Sequence, residues 1–217
     1  MSSPVATPSA LERGHLADAL ATAGPDAPTL CEGWTTRDLA AHLVARERRP
    51  DSAPGLVVRR LAGWTDHVRA GYAARPYDEL VDLVRTGPPL TSPFRLPGVD
   101  RVANLTEHFV HTEDVLRAAP DADGATPRRR LDPAVDEALW AVVRQRGRAM
   151  LGRAGVAVVF ATPDGRQHRA GSGPTVRLTG EPGELVLLAF GRGASADVRR
   201  DGDDAALAAL AAADLRV

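Results

Sequence analysis

The 217-residue sequence contains no lysine, so all 27 of its basic side chains are arginine. A chain without lysine has no side-chain amine with which to form a Schiff base, and that branch of covalent catalysis is excluded. Cysteine is almost as scarce: the single Cys31 rules out an internal disulfide and the secreted disulfide-scaffold class. An excess of one charge is missing too. The formal net charge of -1 argues against a broad electrostatic footprint for nucleic acid or acidic lipid. No apolar run approaches the roughly 20 residues that a membrane helix needs. The opening "MSSPVATPSALERGHLADAL" lacks a basic start followed by an apolar stretch. The expectation is a soluble cytoplasmic protein, monomer or homodimer, that handles small molecules rather than nucleic acid or membrane.

What is present reads as two kinds of structure. Over residues 9–23 apolar positions recur at Leu11, Leu16, Ala19 and Leu20 before "AGPDAP" stops the pattern. A second helix is expected from "GWTTRDLAAHLVARERRP", where Thr35 or Thr36 can accept from a free backbone N–H and Pro50 marks the end. Further helices are predicted over residues 54–74, around Val57, Val58, Leu61, Trp64 and Val68, and over "YDELVDLVRTG". "GPPLTSPFRLPG" carries too many prolines for a regular element and reads as an extended loop. Helices over residues 99–119 and 133–153 follow, the latter with Pro133 in its first turn. From Val156 the pattern changes. "GVAVVFATPDGRQHRAG" has the β-branched run and Pro-Asp-Gly turn of a hairpin. "PTVRLTG" adds a strand, "EPGELVLLAFGR" a helix, "ADVRRDGD" a strand and "DAALAALAAADL" a closing helix. The fold class expected is α+β, with a helical domain over 1–153 and a small α/β domain over 154–217.

One stretch concentrates chemistry: "NLTEHFVHTEDV", residues 104–115. On a helix at about 100° per residue, Glu107 and His111 lie on one face, one turn apart, so a carboxylate oxygen and an imidazole nitrogen can converge on one ion. Two ligands do not make a site, and catalytic zinc usually takes three plus water. His42, mid-helix in "DLAAHLVAR", is the best third donor. A pairing of His108 with His111 is also sterically open, with Glu113 and Asp114 as further donors. Leu105, Phe109 and Leu116 project opposite Glu107 and His111. That turns the polar face towards water, unless it lies in a cleft under the α/β tail.

These residues carry a resemblance. "TLCEGWTTRDLAAHL" resembles the signature near the start of the mycothiol-dependent maleylpyruvate isomerase family, within the DinB-like four-helix-bundle metalloproteins, and "EHFVH" is similar to that family's Glu-x-x-x-His helix. "LTGEPGELVLLAFGR" resembles its small sterol-carrier-like C-terminal domain. The resemblance implies an up-down four-helix bundle followed by that α/β domain. It implies a divalent metal, usually zinc, held by His42, Glu107 and His111. It also implies mycothiol as a co-substrate and a small electrophile as the partner of its thiolate.

Arg192 matches a part of the tail that faces the metal in relatives, which implies a catalytic role in pairing with a carboxylate of substrate or thiol. Asp114 is a candidate to orient His111. Trp34 is expected to pack the helix start. Cys31 resembles a position in a close subgroup of this family described only as metal-binding, and its spacing before Trp34 is that of a buried small side chain rather than a nucleophile. His15, His67 and His168 show no partner spacing. The function implied is a metal-dependent thiol transferase or isomerase; the alternative is a non-catalytic metal-binding or ligand-binding module of the same fold.

Overall fold

The computed structural model describes residues 6–52, 60, 62–118, 128–151 and 155–212. Its contacts divide the chain into two compact units, Met1–Arg129 and Arg130–Val217.

The first unit is helical. Helix α1 (Pro8–Ala23) starts where the Thr7 hydroxyl accepts from the Ala10 N–H at 3.2 Å, and ends at Gly24 with φ of 77°. Helix α2 (Thr36–Arg48) opens with a capping box: Thr35 is the cap, and its N–H in turn donates to Asp38 at 3.2 Å. Helices α3 (Ala62–Ala73) and α4 (Tyr77–Thr86) follow. Val57, Val58 and Leu61, expected in the third helix, lie outside the described residues.

"GPPLTSPFRLPG" is not wholly extended. A 3₁₀ turn forms at Pro93–Arg95, because Ser92 accepts from the Phe94 N–H and Pro93 suits a first helical position. The single turn α5 (Pro97–Val99) then runs through a π-helical segment, Asp100–Asn104, into α6 (Leu105–Leu116). The buried Asn104 holds this widened turn in place. Its amide donates to the Phe94 carbonyl at 2.7 Å and to Asp100 at 3.1 Å, and its oxygen accepts from Arg46 of α2 at 3.0 Å.

Helices α1, α2, α4 and α6 share one core. Leu16 and Leu20 meet Leu39, Leu43 and Val44, Leu80 and Val84, and Val115. Each fully buried leucine there contributes roughly 1.5–3 kcal/mol relative to exposure. Two buried polar clusters cross this unit. In one, Arg13 grips Glu47 at 2.5 and 3.0 Å while the His108 ring lies 3.5 Å from the same carboxylate. In the other, Glu113 accepts from Arg117 at 2.6 Å and from Arg129 at 2.7 Å, and Arg129 also pairs with Glu12.

The Glu47 cluster makes stability fall with acid in two windows. Burial opposes ionisation of Glu47, but His108 and Arg13 outweigh it and hold the carboxyl below its usual range. Burial also pushes His108 down. A histidine with a depressed folded pKa costs stability as pH falls below its unfolded value of about 6.5, and a depressed carboxylate does so below about 4.3. Urea denaturation at stepped pH should show both losses in the wild type, and His108→Gln should remove the upper one. Equal changes in stability between pH 7 and 5.5 in wild type and His108→Gln would contradict this.

The second unit is built on a mixed sheet. Strand β1 (Ala157–Ala161) forms the expected hairpin with β2 (Gln167–Ala170), and β3 (Thr175–Thr179) lies parallel on the other side of β1. Strand β4 (Arg199–Asp201) closes the order β2-β1-β3-β4. Helix α7 (Pro133–Leu151) packs on α8 (Pro182–Ala189), and α9 (Asp204–Ala212) lies against β3. Phe160, Val176, Leu178, Leu185 and Leu187 form the buried interior.

Helix α7 continues the helical pattern of the first half and packs on α8 and β2 within the second unit. Gly171 illustrates how tight the sheet edge is. Its φ is 80°, and a Cβ there would lie 2.6 Å from the Val156 carbonyl oxygen. Gly171→Ala should therefore lower stability by more than about 1 kcal/mol, measured as a shift in the urea midpoint.

Candidate metal centre

Two of the expected ligands come from one helix and one from another. Glu107 and His111, four residues apart on α6, face His42 of α2, and Glu107 Oε1 lies 3.2 Å from His42 Nε2 and 3.4 Å from His111 Nε2. Ligand atoms of all three residues lie within 4.8 Å of one another. The two imidazoles meet edge to face, with centroids 5.7 Å apart.

The projection that turns this face towards water is corrected by the structure. Helix α6 is covered nearly all round, and the side chains of His42, Glu107 and His111 retain only 15, 24 and 11 % of their exposure. The covering group is α2, which brings Arg46 to 3.6 Å from Glu107. The pairing of His108 with His111 does not form. His108 points to Glu47 and the Ser9 carbonyl, and Glu113 is taken up by Arg117 and Arg129.

Asp114, fully buried, stands behind His111. Its Oδ2 accepts from Nδ1 at 2.9 Å, which leaves the Nε2 lone pair aimed at the centre. A lone pair and a carboxylate oxygen 3.4 Å apart repel each other unless a proton or a cation lies between them. Burial disfavours the His111 imidazolium, but Asp114, Cys31 and Glu107 outweigh burial and hold the ring well above the usual histidine range. Burial likewise opposes ionisation of Glu107, yet His111, His42 and Arg46 keep it well below the usual carboxylate range. The field that favours a proton here also favours a divalent ion. A tetrahedral ion with bonds of about 2.0–2.2 Å separates its nitrogen and oxygen donors by roughly 3.2–3.6 Å, and Glu107 stands at that distance from both histidines. Asp114→Asn should weaken zinc binding about 10- to 100-fold, read by competition with a chromophoric chelator.

Trp34 does more than pack the helix start: its ring lies 5.2 Å from the His42 ring. Trp34, His42, Arg46 and Arg69 line a small cleft of about 70 Å³ that opens to solvent beside the centre. Arg69 stacks over Trp34 at 5.2 Å and pairs with Asp38 at 2.5 Å. Cys31 is half-buried, with Sγ 3.2 Å from Asp114 Oδ2 and 3.9 Å from His111 Nδ1. Nothing in the spacing of Cys31 points to this neighbourhood, whereas Arg46, four residues after His42 on the same helix, is detectable by periodicity. Arg192 lies in the second unit just past α8, where its guanidinium donates to the Phe190 carbonyl at 2.7 Å.

The model of the mycothiol maleylpyruvate isomerase N-terminal domain matches residues 12–150. Among solved structures, a crystal structure of the mycothiol-dependent maleylpyruvate isomerase is similar with a TM-score of 0.58 at 17 % identity, covering 90 % of this chain and 91 % of that one. A histidine-to-alanine mutant of that enzyme gives 0.56 at 18 % identity with the same coverage. No curated protein matches the chain. At such identities the likeness is one of fold, a helical N-terminal part with a small C-terminal domain. The family match spans well over half of the sequence, and the chain belongs to the mycothiol maleylpyruvate isomerase family.

Proposed function

We propose that the protein is a metal-dependent thiol transferase or isomerase that uses mycothiol and acts on a small electrophilic substrate. The observation that carries this reading is the convergence of His42, Glu107 and His111 within 4.8 Å in a chain of this family. Those residues would hold a divalent ion, zinc in the first instance, and a bound ion supplies the stabilisation that keeps a thiol ionised and nucleophilic at neutral pH.

The protein's own groups do the rest. Asp114 keeps the proton of His111 on Nδ1, so that Nε2 faces the centre. Trp34 fixes the His42 ring by packing on it. The cleft beside His42 receives the electrophile against the indole, with the guanidinium groups of Arg46 and Arg69 on its wall. Arg192 is proposed to pair with a carboxylate of substrate or thiol from the C-terminal domain, taken as residues 154–217. Addition of the thiolate to a conjugated carbon–carbon double bond forms a carbon–sulfur bond, breaks the π bond and places its electron pair on the conjugated carbonyl as an enolate. Rotation about the resulting single bond followed by expulsion of the thiolate restores the double bond and gives isomerisation, whereas protonation of the enolate from solvent retains the sulfur and gives S-transfer.

The test is to incubate zinc-loaded protein with mycothiol and a panel of electrophiles and to search for conjugates and isomers by mass. Turnover that disappears in Glu107→Gln supports the reading. Saturable binding of mycothiol without any product would instead assign a non-catalytic binding module.

A further inference from the structure

The His111 ring faces donors on both sides. Beyond Nδ1, away from His42 and Glu107, lie Asp114 Oδ2 at 2.9 Å and Cys31 Sγ at 3.9 Å, with sulfur and oxygen 3.2 Å apart. Ligand atoms of Cys31, His111 and Asp114 form a second group within 4.8 Å. They come from different segments, since Cys31 sits in the loop between α1 and α2 while His111 and Asp114 belong to α6. The loop is tied to the helix by its backbone, with the Leu30 N–H donating to the Asp114 carbonyl at 3.0 Å. Thr29 braces it further by donating to the Trp34 carbonyl at 2.9 Å. The sulfur is therefore positioned by the fold rather than carried on a free loop.

We propose that Cys31, His111 Nδ1 and Asp114 form a second cation site, specific for a thiophilic divalent ion such as zinc or cadmium, that shares the His111 ring with the first centre. A tetrahedral ion with a sulfur bond of about 2.3 Å and nitrogen and oxygen bonds near 2.0–2.2 Å sets its sulfur roughly 3.5–3.7 Å from the other two donors; the observed 3.2 and 3.9 Å straddle that value, and the 2.9 Å hydrogen bond between Asp114 and His111 opens by a few tenths of an ångström to admit the ion. Sulfur, nitrogen and carboxylate oxygen together favour zinc or cadmium over magnesium or calcium. Binding replaces two protons, the thiol proton of Cys31 and the Nδ1 proton of His111, with bonds to one ion, and both protons leave to solvent. With both sites filled, the ring becomes a bridging imidazolate. Cys31 and Asp114 would then act as ligands of a second ion, a role distinct from orienting His111 towards the first.

Cys31 is the sole cysteine, so every thiolate signal in this protein belongs to it. Metal-free protein is titrated with cadmium while bound metal, ultraviolet absorption and alkylation of the thiol are followed. The expected result is two ions per chain, a cadmium–thiolate charge-transfer band, and alkylation of Cys31 slowed at least about tenfold. Cys31→Ser should bind one ion and show no band, and His42→Ala should keep the band while losing the other ion. A wild-type protein that binds a single ion without the band, and whose Cys31 is alkylated equally fast with and without cadmium, would overturn the second site and leave the first standing. Loss of zinc binding at His42 and Glu107 with the band retained would do the reverse.

Discussion

Alanine in place of His42 should strip the purified protein of most of its metal, while alanine in place of His67 should leave the content unchanged. The two histidines differ in what surrounds them. His42 is largely buried, 3.2 Å from Glu107 and packed under Trp34, whereas His67 is exposed and stacks on Trp64. Removing one of three ligands leaves an ion with two protein bonds. The loss should exceed the roughly 10- to 100-fold expected for an orienting residue such as Asp114. His111→Ala should act in the same direction. Elemental analysis after dialysis reads the result directly, and equal metal in wild type, His42→Ala and His67→Ala would remove the first centre altogether. Circular dichroism of the variants separates loss of metal from loss of fold.

Glu113→Ala should produce a large fall in stability, about 3–5 kcal/mol, because it removes the buried carboxylate that Arg117 and Arg129 share, although Arg129 keeps its pairing with Glu12. Glu113 is 1 % exposed and serves Arg117, itself 3 % exposed on its side chain, and Arg129. The size of the effect comes from desolvation rather than from the attraction between the charges. The exposed pair Arg85–Asp18, at a similar distance of 2.8 Å, supplies the contrast: Asp18→Ala should cost no more than about 1 kcal/mol. Chemical denaturation of the two variants against wild type tests the difference, and similar losses for both would show that the Glu113 network contributes no more than a surface pair.

The same contrast between local pattern and burial explains which features could be read from the sequence. The capping residues, the Pro-Asp-Gly hairpin and the four-residue spacing of Glu107 and His111 are local, and each appears where the pattern puts it. The resemblance in "GWTTRDLAAHL" and "EHFVH" also points to the family that the match over residues 12–150 shows. The orientation of α6 was not readable, because an amphipathic projection assumes one wet face, and here α2 supplies a polar wall of His42 and Arg46 instead.

The sequence by itself determined the order of helices and strands, the α+β class and the residue types able to hold a cation, since these follow from backbone propensity and from periodicity over a few turns. Only the tertiary structure decided that α7 packs with the sheet, that His108 turns to Glu47 instead of His111, and that Cys31 stands beside Asp114. Those outcomes depend on which surfaces are buried together across long stretches of chain, 83 positions for Cys31 with Asp114. Burial is a property of pairs of elements that no single stretch encodes.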